Sequence, residues 1–260
     1  MKKSWVGMLH LPPLPGSPRG GQSLADIETR LVAEAQLLHE VGFHAAFLEN
    51  FGDVPFFKDR VDASTIAAMT RLACAVRSAV PELALGVNVL RNDARAALAV
   101  AAAAEARFIR VNVHVGATAT DQGVIEGRAA QTLRARAALG ADVAIWADVH
   151  VKHGRSLAHP SIADEAEDAV RRGLADALVV SGRGTGESTS LDDLRAVAEL
   201  DLGVAVYVGS GVTVETVESL LDIADGVIVG TSIKADGKTT NPIDRKRAER
   251  FVEKARLRIL

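Results

Sequence analysis

Two short segments couple an apolar strand to an abrupt run of small residues: VYVGSGVT at Val206–Thr213 and GVIVGTSIK at Gly226–Lys234. Gly209, Ser210 and Gly211 close the first, and Gly230, Thr231 and Ser232 close the second. Small residues let backbone N–H groups approach a ligand, and a helix N-terminus behind them adds positive partial charge. That combination suits the capture of a phosphate. Upstream lie groups suited to proton transfer. Glu49 ends the run AAFLEN beside Phe47, Leu48 and Phe51, where an apolar setting would raise a carboxylate pKa and equip it as a general acid or base. Its bland alternative is bracing a loop backbone. Asp148 and His150 lie two apart, so on one strand they would face the same side. The spacing suits an aspartate orienting a histidine, or two ligands of a divalent metal with Glu49 as third. Lys152 follows, able to form a Schiff base with a carbonyl, to meet an anion, or to stay in solvent.

Further polar residues could hold a substrate. His10, Asn50, Asn88, Arg91, Asn112 and Ser181 fall at the ends of apolar runs. The amides and the arginine suit sugar hydroxyls or a second anionic group, with loop capping as their structural alternative. Asp121 and Gln122 precede GVIEGR, a segment able to close over a ligand. SGRGTGES at Ser181–Ser188, including Gly182 and Arg183, reads as a lid or an extra phosphate cradle. It is not a Walker loop, because Gly186 is followed by Glu187 instead of lysine. The histidines of HVKHGRSLAH match no common metal spacing, so no metal ligand or cofactor is assigned and a divalent ion stays an option.

These residues need a scaffold. Strand-like runs at Trp5–Leu9, Ala45–Glu49, Ala84–Val89, Phe108–Val113, Val143–Val149, Ala177–Val180, Val204–Val208 and Gly226–Val229 alternate with helical patterns. The helices are expected to begin near Ser23, Asp62, Asp93, Val124, Ser161, Leu191, Thr213 and Pro242. Ser23, Asp93 and Ser161 suit helix caps, and Gly42, Gly140 and Gly173 fall where helices should stop. The strands are continuously apolar, as in a parallel sheet buried on both faces. Eight such units over residues 1–260 predict an α/β fold, one (β/α)8 TIM-barrel domain, in which the last two strand-to-helix loops hold phosphate. A doubly wound open sheet would need a glycine fingerprint after the first strand, where HLPPLPGSPRGG stands instead.

Composition narrows the partners. The 260 residues are 48% hydrophobic with a net charge of −3 and only 4% aromatics, which favours neither nucleic acid nor an anionic membrane. Ala96–Ala106 is too short to span a bilayer. MKKSWVGML runs into Pro12, Pro13 and Pro15 with no cleavage site, so it reads as a first strand and the protein as cytoplasmic. Cys74 is the single cysteine, expected to be a buried inert thiol. The closing run DRKRAERFVEKARLR mixes charge signs around Phe251, Val252 and Ala255, the pattern of a solvated outer helix. A homo-oligomer is a prior for barrels of this size.

The loops carry a more specific signal. MLHLPPLPGSPR at Met8–Arg19, ENFGDVPF at Glu49–Phe56, GVNVLRND at Gly86–Asp93, FIRVNV at Phe108–Val113, TDQGVIEG at Thr120–Gly127 and ADVHVKH at Ala147–His153, with GSGVT and VGTSIK, resemble the signature segments of the BtpA family. The resemblance runs in order from Met8 to about Arg247. It implies a TIM barrel and two associations: some cyanobacterial members with photosystem I accumulation, others with sugar-uptake and sugar-metabolism genes. The residues lead to an enzyme acting on a phosphorylated sugar or sugar-derived metabolite, by isomerase, lyase, aldolase-type or glycosyl-cleaving chemistry. A non-catalytic assembly factor and a phosphometabolite-binding protein without turnover are the alternatives.

Overall fold

Continuous apolar runs give the chain eight strands that no polar face can present to water. In the computed structural model, which describes residues 3–158, 161–182 and 189–258, they close on themselves. The first half runs β1 (Ser4–His10), α1 (Leu24–Val41), β2 (Ala45–Glu49), α2 (Ala63–Ala79), β3 (Ala84–Asn88), α3 (Ala94–Ala103) and β4 (Phe108–Val111). A hairpin of β5 (Ala117–Thr120) and β6 (Gly123–Glu126) follows, then α4 (Ala129–Ala138), β7 (Ala144–Val149) and β8 (Gly154–Ser156). The chain continues through α5 (Ile162–Arg171), β9 (Ala177–Val180), α6 (Leu191–Ala198), β10 (Ala205–Val208), α7 (Val217–Leu221), β11 (Gly226–Val229) and α8 (Arg245–Arg256). The barrel order is β1-β11-β10-β9-β7-β4-β3-β2, every pairing parallel, and β2 returns to β1. The fold is a (β/α)8 TIM barrel. No described helix is long and apolar enough to cross a membrane.

Strand parity divides the core in two. Leu9, Leu48, Val87, Ile109, Ile145, Leu178, Val208 and Val229 point outward and join the helices in one large cluster. Val6, Met8, Phe47, Phe108, Trp146, Val179 and Ile228 point inward. Aromatics are scarce in the chain, yet they concentrate here. Phe47 meets Phe108 edge-on with centroids 4.8 Å apart, Phe108 stacks on Trp146 at 4.4 Å, and Trp146 stacks on Tyr207 at 4.0 Å. This plug fills the barrel interior, so a ligand can enter only above it. Gly86 makes the plug possible: a Cβ there would lie 2.0 Å from the Phe108 ring.

The expected caps at Ser23, Asp93 and Ser161 form, each side chain accepting from the backbone N–H three residues on. Gly42 stops α1 with φ +97°. Three expectations change. The helix predicted near Val124 begins at Ala129, because Gly123 turns the chain at φ +93° and Ile125 buries itself with Val113 and Val151. The helix expected from Thr213 starts only at Val217, because Thr213 and Thr216 exchange side-chain bonds in a turn first. After α5 the positive φ falls on Leu174, whereas Gly173 is needed for close approach, a Cβ there meeting Ala169 O at 2.6 Å. Cys74 is half-buried, its thiol directed at the Ala103 carbonyl.

Candidate functional site

Above the aromatic plug, the same inward parity delivers polar side chains. His10 ends β1, Glu49 ends β2 and Asn88 ends β3; Arg110 lies in β4 and Asp148 in β7. Asn112 and Ser181 follow β4 and β9 directly. Arg110, Asn112 and Asp148 form one buried unit. Arg110 donates from Nε to Asp148 Oδ1 at 2.8 Å, and from Nη2 to Asp148 Oδ2 at 3.1 Å and to Ser181 Oγ at 3.3 Å. Asn112 Nδ2 donates to Asp148 Oδ2 at 2.6 Å. Asn88 Nδ2 donates to the Arg110 carbonyl, while its Oδ1 is buried without a hydrogen-bond partner. Burial works against charge on Arg110, but Asp148 outweighs it and holds the guanidinium firmly protonated.

Beside this unit lies a cavity of about 220 Å³. Its walls include Gly209, Ser210 and Gly211 from the loop after β10, and Gly230, Thr231 and Ser232 from the loop after β11. Met8, Ile228 and His10 form the β1–β11 side, and Arg110 and Lys152 bring cationic side chains to it. Ser232 Oγ donates to the Val212 carbonyl at 2.7 Å and ties the two loops together. Glycine is required where the walls are tightest. A Cβ at Gly230 would meet His10 Cε1 at 2.7 Å, and one at Gly209 would meet Ser181 Oγ at 2.9 Å and the Arg110 guanidinium at 3.1 Å. Gly211 has φ +67°.

The mouth favours neutral forms of its titratable groups. Burial pushes the Glu49 carboxyl up, against the pull of Lys152 and Arg110. Burial pushes His10 well below the ordinary imidazole value, helped by Lys234, Lys152 and Arg110. His10 Nε2 lies 3.8 Å from Glu49 Oε1, close enough for an ion pair. Both shifts oppose charge separation, however, and 3.8 Å is too long for a hydrogen bond. Burial also lowers Lys152, and Arg110 adds to the effect while Glu49 and Asp148 oppose it.

Other expected residues serve elsewhere. His150 does not join Asp148: its backbone turns to φ +48°, and its ring lies 3.7 Å from Glu165 on α5. Asp148 takes Arg110 as its partner instead. The Glu49–Asp148–His150 metal set is therefore not assembled, and among the described residues no three His, Cys, Asp or Glu side chains converge on a metal position. Asn50 is spent on loop bracing, accepting from Leu90 N at 2.7 Å and donating to Asp53. Arg91 donates to the Lys152 carbonyl at 2.6 Å and so fixes the loop that carries Lys152. Asp121 and Gln122 cap the β5–β6 hairpin, bonded to one another, with Asp121 near enough to favour the charge on Arg91. Ser181 and Gly182 are buried at the end of β9, while Arg183 lies outside the described residues.

Sequence reasoning missed Arg110, whose signal was available: a charged residue inside FIRVNV at the inward parity of Asn112. It also missed Lys234, which lies fully buried behind the β11 loop and donates to Glu34 Oε2 on α1 at 2.7 Å. No pattern announced that pair, since its members are 200 residues apart. Asp53 was missed as well; it accepts from Leu14 N at 2.8 Å and fastens the β1 loop to the β2 loop.

Comparison with known proteins places this geometry. The Photosystem I biogenesis protein BtpA of Synechocystis sp. is 43% identical over 95% of this chain and 86% of its own length. An uncharacterized protein of Methanocaldococcus jannaschii is 44% identical over 98% of this chain and 95% of its own. In fold, phosphoribosyl anthranilate isomerase from Thermus thermophilus superposes with a TM-score of 0.58 at 13% identity, covering 98% of each chain. The family model of the BtpA family matches residues 1–257, and the chain belongs to that family.

Proposed function

We propose that this protein is an enzyme acting on a phosphorylated sugar or sugar-derived metabolite. The loops after β10 and β11 hold the phosphate, and Glu49, Lys152 and Arg110 face the reacting carbons. One observation carries the reading: both small-residue loops share a single cavity with the side chains of Arg110 and Lys152. Small residues admit the anion closely, and Arg110, held charged by Asp148, neutralises it. The floor is closed by aromatics, so the sugar must lie across the mouth. The solved fold neighbour is named for a phosphoribosyl compound, but at 13% identity that likeness speaks of the barrel alone.

The assembly-factor reading draws on the name of the cyanobacterial relative. The cavity shared by the two small-residue loops favours the enzyme reading over it. A thermal-shift comparison of phosphorylated sugars with their phosphate-free counterparts tests the proposal. A ligand at about 100 times its Kd adds roughly 2.7 kcal/mol. For a chain this long that raises Tm by about 5–10 °C, at roughly 2–4 °C per kcal/mol. The shift should need the phosphate and vanish in Gly211→Asp, whose carboxylate enters the cavity from a φ of +67°. No shift with any phosphorylated sugar refutes the proposal.

A further inference from the structure

We propose that Lys152 is an imine-forming lysine and that the substrate is therefore a phosphorylated aldehyde or ketone. The inference rests on the phosphate reading above and adds to it a reaction class. Three observations carry it. Lys152 lines the same cavity as the two phosphate loops, so a phosphate seated there brings the neighbouring carbons of a small molecule to the amine. Its loop is clamped, because Arg91 Nη2 holds the Lys152 carbonyl at 2.6 Å. One of the two carboxylates that favour its ammonium form, Asp148, is engaged elsewhere, since Arg110 and Asn112 occupy both its oxygens.

The groups facing Lys152 come from several strands: Arg110, Glu49, Asp148 and Arg91. Burial, and then Arg110, favour the uncharged amine; Glu49 and Asp148 oppose them. A neutral amine is the nucleophile that carbonyl addition needs. The Nζ lone pair attacks the carbonyl carbon, the C=O π pair moves to oxygen, and that oxygen takes one of the protons of the now positively charged nitrogen to give a neutral carbinolamine. Glu49, whose burial favours its protonated form, donates a proton to the departing hydroxyl, and water leaves as the C=N bond forms. The balance is one carbonyl, one neutral amine and one carboxylic acid giving one iminium, one carboxylate and one water, with no outside oxidant or reductant. The lysine's role as a plain anion contact requires none of this.

Two probes test it. Formaldehyde with cyanoborohydride at pH 7 needs no phosphate site, and peptide mapping reads each lysine. Lys152 should methylate faster than the exposed Lys238 and Lys246, by up to about tenfold for each pH unit its pKa is depressed. Dihydroxyacetone phosphate with borohydride should leave a reduced adduct on Lys152, equal to the ketone's mass less one oxygen. Unphosphorylated dihydroxyacetone should leave at least tenfold less, and Lys152→Arg should leave none there while retaining its thermal shift with glycerol 3-phosphate. Methylation of Lys152 no faster than Lys238, together with adducts spread over surface lysines, overturns the imine and leaves the phosphate reading standing. Equal adducts from the two ketones, with no shift from glycerol 3-phosphate, leave the imine and overturn the phosphate reading. The first arm uses the wild-type protein, so a poorly folding variant does not affect it.

Discussion

Removing the Arg110 guanidinium should destabilise the barrel from its centre. Arg110 and Asp148 make a bidentate pair at 2.8 and 3.1 Å, and their side chains are only 1% and 0% exposed. In Arg110→Met the apolar stem is roughly conserved but Asp148 keeps a buried charge with Asn112 as its remaining donor. Breaking a buried pair from one side costs about 3–5 kcal/mol, chiefly because the remaining charge is stranded. At roughly 2–4 °C per kcal/mol the melting temperature should fall by about 6–20 °C. The double variant Arg110→Met/Asp148→Asn removes the stranded charge, and the amide oxygen introduced in place of the carboxylate would still accept from Asn112. It should therefore recover at least half of the loss, roughly 2 kcal/mol, relative to Arg110→Met. Urea unfolding at pH 7, followed by circular dichroism, measures the wild type and both variants. A loss under about 1 kcal/mol in Arg110→Met, or a double variant no more stable than the single, would refute the claim that this pair anchors the polar layer.

Two further predictions concern neighbouring charges. Because Glu49 has a raised pKa, the folded state keeps a proton that the unfolded chain releases, so Glu49 erodes stability as pH climbs from about 4.5 through the raised value. Glu49→Gln should match the wild type near pH 4 and exceed it at pH 8, by about 1.4 kcal/mol for every pH unit that separates the folded and unfolded carboxyl; melts that superimpose at both pH values would contradict the assignment. His10 gives the opposite slope, since its lowered pKa costs stability as pH falls below about 6.5, and Glu49→Gln should leave that limb in place. Behind the β11 loop, Lys234→Met strands Glu34, although Arg30 still holds Oε1 at 2.9 Å. The loss should lie near the lower end of the ~3–5 kcal/mol range, with weaker binding of glycerol 3-phosphate as the loop loosens; an unchanged melting temperature would count against any role for the pair.

The sequence made the scaffold legible because each barrel strand is a continuous apolar run, and parity within a run fixes which side chains meet the axis. His10, Glu49, Asn88, Asn112 and Asp148 follow from that rule alone. It failed at His150 because a strand's parity holds only while the strand continues, and the left-handed turn after Val149 sends the ring toward Glu165. Asn50 and Arg91 were polar at the right height but were claimed by backbone, a competition that depends on loop paths no periodicity encodes. The hairpin at Asp121–Gln122 passes for a helix start in sequence, since GVIEGR offers apolar residues that suit either period.

The polar layer divides by how its members are paired, and that division locates the chemistry. Arg110, Asn112 and Asp148 saturate one another, with Ser181 and Asn88 alongside, so moving any of them breaks a buried bond. They are suited to fixing charge and geometry. His10, Glu49 and Lys152 differ: burial biases each toward its neutral form. A group biased toward its neutral form in a buried mouth is one that can accept or release a proton there, and two of these three line the cavity between the two small-residue loops. The committed side chains thus hold the field in which the uncommitted ones would react, and substitutions should separate accordingly. Changes at Arg110 or Asp148 should lower stability and turnover together, whereas Lys152→Arg should abolish turnover on a barrel that still melts near the wild-type temperature.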